Sequence, residues 1–169
     1  PQHPAVPGIL RALRTHNTSA RAPRAWLSPA QIRAACAHLY ARGEPTAAAA
    51  IAVAWTYLLR VPSELLRCRR HQVLCHGRQA TIGPLVRKAH RGGTHIRRAC
   101  CCPRGRSDPL CGACALLRLS RRNVAGRCSL LVALSIADFH AALTRGLRAA
   151  RVPFADAYRS HDLRRSAAN

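Results

Sequence analysis

The sequence predicts a mainly helical α+β domain with a small antiparallel sheet. Three observations predict it: amphipathic helical repeats near both ends, a segment apolar nearly all round, and a β-type run with glycine turn signals between them. Residues 1–24 mix Pro, Ala, Arg and polar side chains without a period, and read as a linker or the end of an upstream segment. The domain is placed at residues 25–169. LSPAQIRAACAHLYARG opens it as a helix, with Ser28 as cap, Pro29 at the first helical position and Gln31 completing a capping box. Ile32, Ala35, Cys36 and Leu39 form its apolar face, and Gly43 stops it. EPTAAAAIAVAWTYLL is apolar nearly all round, which fits a buried central helix ending at Arg60. PSELLRCRR reads as the start of another helix.

Short strands follow. Val73 and Leu74 precede a His-Gly turn, residues 80–86 form a second apolar run weakened by Gly83 and Pro84, and Gly92-Gly93 reads as a hairpin turn before Thr94 to Arg98. After a cysteine cluster comes a short Leu-rich helix over residues 115–119. SIADFHAALTRGLRAARVP is a helix capped by Ser135 and Asp138, with Ile136, Phe139, Leu143 and Leu147 on one face and Pro153 beyond its end. The final stretch, YRSHDLRRSAAN, opens a helix with Ser160 as the expected cap and His161 and Arg164 on one face.

Composition narrows the function. The 169 residues carry a net charge of +22 with only six acidic side chains. Such a surface favours a polyanionic partner, foremost nucleic acid. One Lys, Lys88, stands among 28 basic residues, so part of the charge reflects a coding bias toward Arg. Aromatic residues make up 4%, which argues against a protein that grips single strands mainly by stacking. No apolar stretch is long enough to span a bilayer and no secretory signal is visible, so no membrane partner is expected. Nine cysteines without a secretory context point to a reducing, intracellular compartment and to metal binding before disulfides. There is no Met, so the N-terminus is expected to be truncated or processed.

Three basic elements stand apart: Arg60 after the buried helix in YLLRVPSELL, Lys88 in LVRKAHRGG, and His161 with Arg164 in SHDLRRSAAN. Arg60 also fits a plain helix C-terminal cation, Lys88 a surface turn, and the His161–Arg164 pair a solvated helix start. Taken together, their order resembles the catalytic domain of the tyrosine recombinases, the phage-integrase-like DNA breaking and rejoining enzymes. In that family an Arg closes a buried helix in a Gly-Leu-Arg-x-x-Glu-Leu type motif, a Lys sits on a β-hairpin and a His-x-Leu-Arg motif opens a later helix. The LLRVPSE form and the Cys-rich insert are similar to the crypton-like recombinases of eukaryotic mobile elements.

The resemblance covers roughly residues 27–169 and implies a helical catalytic core acting on double-stranded DNA, in the nucleus if the source is eukaryotic, as a homo-oligomer on DNA in the complete protein. Arg60 and Arg164 would hold the non-bridging oxygens of a phosphodiester, Lys88 would protonate the leaving 5′ oxygen, and His161 would assist proton transfer or positioning. Glu64 would support Arg60, although it stands four residues after that Arg where the common pattern has three. The family's next His or Trp and its nucleophilic Tyr have no counterpart after Arg164, so the chain is expected to be an inactive fragment cut inside a catalytic domain. Tyr40, Tyr57 and Tyr158 are expected to serve packing.

ACCCPRGRSDPLCGAC supplies Cys100, Cys102, Cys111 and Cys114, two close pairs that can offer four thiolates to a tetrahedral zinc, with His95 or Cys101 able to replace one. A set of reduced cysteines in a basic loop is the other reading. Cys36, Cys68, Cys75 and Cys128 are expected to be buried small hydrophobes. Strand transfer of the recombinase type needs no metal, so zinc here would be structural. A functional alternative follows: a non-catalytic, zinc-containing DNA- or RNA-binding module.

Overall fold

The computed structural model describes residues 25–87, 90–103, 106–122 and 129–169. Helix α1, Pro29–Ala41, starts as the sequence reads. The Ser28 hydroxyl accepts from the Gln31 N–H at 3.2 Å, and the Gln31 side chain accepts from the Ser28 N–H at 2.8 Å. These reciprocal bonds satisfy two of the donors that a helix start leaves open. Ile32, Ala35, Cys36 and Leu39 are its buried residues. Helix α2, Pro45–Thr56, is buried on every side from Ala47 to Trp55. Its alanines let neighbouring helices approach closely, and it forms the axis of the domain, touching α1 and the three helices that follow.

The chain then departs from a second regular helix. Residues Val61–Leu65 make a single π-helical turn, followed by the 3₁₀ turn Arg70–Gln72. Strands β1 (Val73–His76), β2 (Gln79–Arg87) and β3 (His90–Ala99) form an antiparallel sheet in the order β1-β2-β3. The first turn falls after His76, as the sequence indicates. The second does not fall at Gly92-Gly93, which lie inside β3; Arg87 pairs with His90. Gly93 serves a different need. It stands at φ 82, and an added Cβ would come 2.6 Å from Pro84 Cβ, so the close approach at the β2 irregularity requires glycine.

Helix α3, Gly112–Arg122, is longer than the Leu-rich core suggests, and α4, Ile136–Ala149, carries the expected Ser135–Asp138 capping box. Phe139, Leu143 and Leu147 of α4 are fully buried, whereas Ile136 at the first position is exposed. A 3₁₀ turn, Ala155–Ala157, leads into α5, Ser160–Ala167. Here the cap is Arg159 rather than Ser160, because the Asp162 carboxylate reaches back to accept the Arg159 N–H at 2.8 Å. The core is continuous from α1 through α2 to α3, α4 and the inner face of the sheet. Among the described residues no helix is long and apolar enough to cross a membrane.

Candidate nucleic-acid interface and metal centre

Arg60 is placed by the way α2 ends. Leu58 takes a left-handed conformation, φ 54, and the N–H of the buried Leu59 bonds back to the Ala54 carbonyl at 3.0 Å. Arg60 then runs extended and exposed. The Leu65 N–H reaches the Arg60 carbonyl at 3.2 Å and the Leu66 N–H reaches that of Val61 at 3.0 Å, each spanning five residues. This wide turn takes up one residue more than an α-turn, which is how Glu64 stands four places after Arg60 and still serves it. Glu64 is buried, and its Oε2 accepts the Arg60 N–H at 2.9 Å. Single π-turns are rare and concentrate at functional sites.

His161 and Arg164 sit on α5, His161 exposed and Arg164 half-buried, with the fully buried Leu163 between them anchoring the helix. The Ser160 N–H donates to His140 Nε2 at 3.3 Å and the Leu27 N–H to Ser166 Oγ at 3.1 Å, so both ends of α5 are tied to the domain. Helix α5 packs on α2, and Ala167 shares a cleft of about 280 Å³ with Trp55, Thr56 and Leu58. The chain leading to Arg60 and the helix carrying Arg164 are thereby neighbours. Lys88 lies outside the described residues, between the paired Arg87 and His90.

The few acidic side chains leave most cations without an acidic partner. Glu44 pairs with Arg42 and Arg145, Asp108 with Arg33 and Asp156 with Arg148, while Glu64, Asp138 and Asp162 accept backbone N–H groups. All six acids of the chain are thus engaged locally. The side chains of Arg60, His161 and Arg164 take no hydrogen bond or ion pair with the described residues, whereas Arg78, Arg98, Arg118 and Arg159 are spent on protein acceptors.

Cys100, Cys102, Cys111 and Cys114 form a true cluster: their four sulfurs lie within 4.8 Å of one another. Cys114 Sγ is 3.4 Å from Cys100 Sγ and 3.7 Å from Cys102 Sγ. Cys100 and Cys102 come from the end of β3, Cys111 immediately precedes α3, and Cys114 sits in its first turn. The Asp108 N–H donates to Cys102 Sγ at 3.2 Å, a bond that favours a thiolate. Proton sharing within the cluster is uneven. Burial alone would raise Cys111, but the N–H groups of Cys114 and Cys101 and the neighbouring thiols outweigh it and bring the thiol down to about 6. The N–H of Cys102 lowers Cys100, while burial raises Cys102 and Cys114. Metal binding would displace the remaining thiol protons and leave four thiolates. The donor set, all sulfur and roughly tetrahedral in number, can hold one soft or borderline metal ion such as zinc. Cys101 is exposed and outside the cluster, and His95 is not part of it.

Two contributors carry no motif. Arg78, in the β1–β2 turn, bonds to Cys100 Sγ at 3.8 Å and to the Cys102 carbonyl. Asp108 caps Leu110 N–H at 2.8 Å and grips Arg33 on α1. Both roles depend on strand pairing and on a loop closing over α1, which spacing in the sequence does not reveal. Cys36 and Cys68 are buried, with thiols pushed up to about 12 by that burial. Cys75 is exposed on β1, because the edge strand β1 leaves it partly to solvent, and Cys128 lies outside the described residues. Tyr57 is buried and donates to the Ala80 carbonyl at 2.9 Å, and Tyr158 donates to that of Ala25 at 2.8 Å. Comparison with protein-family models, curated proteins and solved structures finds no match.

Proposed function

We propose that the chain grips the phosphates of double-stranded DNA through Arg60, His161 and Arg164, with Lys88 in a supporting role, as the recombinase-like motifs imply. The observation that carries the reading is electrostatic. With every acid engaged locally, the three motif side chains, like several other arginines, keep no hydrogen-bond or ion-pair partner among the described residues of a protein of charge +22. Two guanidinium groups and an imidazole suit a phosphodiester because they offer several directional donors to its non-bridging oxygens, where charge grows during strand transfer. The packing of α5 against α2 is compatible with donors from both segments serving one phosphate. In strand transfer of this type Lys88 would deliver the proton to the leaving oxygen, and His161 would steady the transferred phosphate.

The cysteine cluster supports a structural role for zinc. The four thiolates would join β3 to α3, and Thr56 at the end of α2 leans on the same region by donating to the Leu110 carbonyl at 3.3 Å and accepting from Arg98 at 3.1 Å. Zinc would therefore brace the stretch that presents Arg60. The same cluster favours a second reading, a zinc-braced nucleic-acid-binding module without strand transfer. Measuring duplex affinity against salt tests what the two share. Binding should fall with a log–log slope of roughly −0.9 per phosphate neutralised, and Arg164→Ala should reduce that slope. Salt-insensitive binding contradicts both. Incubating nicked duplexes with a chain that carries the full set of recombinase motifs separates them: a covalent adduct supports strand transfer, and its absence leaves the binding module.

A further inference from the structure

Two aromatic side chains stand exposed: Trp26 lies against α5, and Phe154 stands at the start of the 3₁₀ turn that precedes α5 and packs on α4. Trp26 is 54% exposed and Phe154 76% exposed. The guanidinium of Arg165 on α5 lies 5.1 Å from the centre of the Trp26 ring, and the adjacent Ala25 carbonyl is held by the Tyr158 hydroxyl. Phe154 opens the 3₁₀ turn that runs into Tyr158 and α5. By contrast, Phe139, Tyr57, Trp55 and Tyr158 are buried. Phe154 also takes a left-handed backbone, φ 54, a conformation that is strained for a non-glycine residue. The turn around it is firmly anchored by the buried Val152, Ala155 and Tyr158, so the ring is held outward on a fixed support.

The surroundings are cationic rather than apolar. Arg151 and Arg159 flank the turn, and Asp156 and Asp162 are occupied by Arg148 and by the Arg159 N–H. Isolated rings among arginines do not make the contiguous apolar patch of a protein interface; they suit unstacked bases threaded along a phosphate track. We infer that Trp26 and Phe154 stack on unpaired bases of DNA whose phosphates α5 engages, giving the protein a preference for gapped over intact duplex. The inference rests on the phosphate-binding reading above.

The test measures affinity for an intact duplex and for the same duplex with a short single-stranded gap, across a salt series, using the full chain. Wild type should bind the gapped form more tightly, with quenching of Trp emission on gapped DNA and not on heparin. Phe154→Gly should lower affinity for the gapped form by roughly 5-fold or more while leaving the intact duplex and the salt slope unchanged. The same substitution relieves the left-handed strain, so its Tm should rise; a residue with a merely structural role would not lose binding while gaining stability. Phe154→Tyr should restore the preference. Arg164→Ala should reduce the salt slope on both DNAs. Equal affinity of wild type for the two DNAs, or an unchanged preference in Phe154→Gly, overturns the stacking inference. If Arg164→Ala still flattens the slope in that case, the phosphate reading survives; if wild-type binding is insensitive to salt, both fail.

Discussion

Glu64 is buried beside a solvent-facing arginine, and its carboxylate holds the backbone of Arg60 rather than its guanidinium. The arrangement leaves the charged end of Arg60 free for a ligand while fixing where it starts. Replacing the side chain with a methyl group removes the acceptor of the Arg60 N–H and leaves a gap where the buried carboxylate packed, so Glu64→Ala should cost about 1–3 kcal/mol, measured by denaturant unfolding, and Glu64→Gln distinctly less. The motif announced Arg60 and Glu64 in the sequence, but not the π-turn that reconciles their spacing. That turn depends on hydrogen bonds reaching five residues back, and propensity carries no sign of them. The shift of the α5 cap from Ser160 to Arg159 has a similar cause. Asp162 competes for the helix start, and Ser160 is drawn into the interior with its N–H on His140.

At the level of elements, helices α1, α2 and α4 could be read almost residue by residue. The capping boxes of α1 and α4 and the apolar patterns of all three are local, and tertiary packing agrees with them. The β2–β3 turn could not, because Gly92-Gly93 looks like a turn but answers a close approach of β3 to Pro84, a non-local fact. The junction of α3 with α2 is just as tight. A Cβ at Gly112 would stand 2.5 Å from Thr56 Cβ, so Gly112→Ala should destabilise the fold by about 1–3 kcal/mol in the same unfolding assay. Because Gly112 lies between Cys111 and Cys114, that substitution should also weaken zinc uptake. Metal itself belongs at this scale. Protein purified under reducing conditions should carry close to one zinc per chain by elemental analysis. Chelation, or Cys111→Ser with Cys114→Ser, should lower Tm through loss of the link between β3 and α3. A metal-free protein of unchanged Tm would remove the zinc brace.

The whole molecule is an arginine-rich shell with every acid engaged. Burial would raise Asp108, but the Arg33 and Leu110 hydrogen bonds hold it below its ordinary value, and Arg145 does the same for Glu44. Depressed carboxyl groups stabilise the fold above their unfolded pKa, and that contribution is lost as pH falls through the folded values. Tm should therefore drop below pH about 4, and less steeply in an Asp108→Asn, Glu44→Gln variant. Fold class was legible in the sequence because the helix–sheet–helix order is carried by local patterns. The approach of α5 to the end of α2 was not, since it joins segments a hundred residues apart; only the resemblance raised it. The central claim is that Arg60 and Arg164 serve one phosphate, and a double-mutant cycle on duplex affinity tests it most directly. Arg60→Ala, Arg164→Ala and the pair together should show a coupling of about 0.5–3 kcal/mol, as groups sharing a partner do. Strict additivity, within about 0.5 kcal/mol, is the result for sites that act apart, and it would contradict the shared phosphate grip.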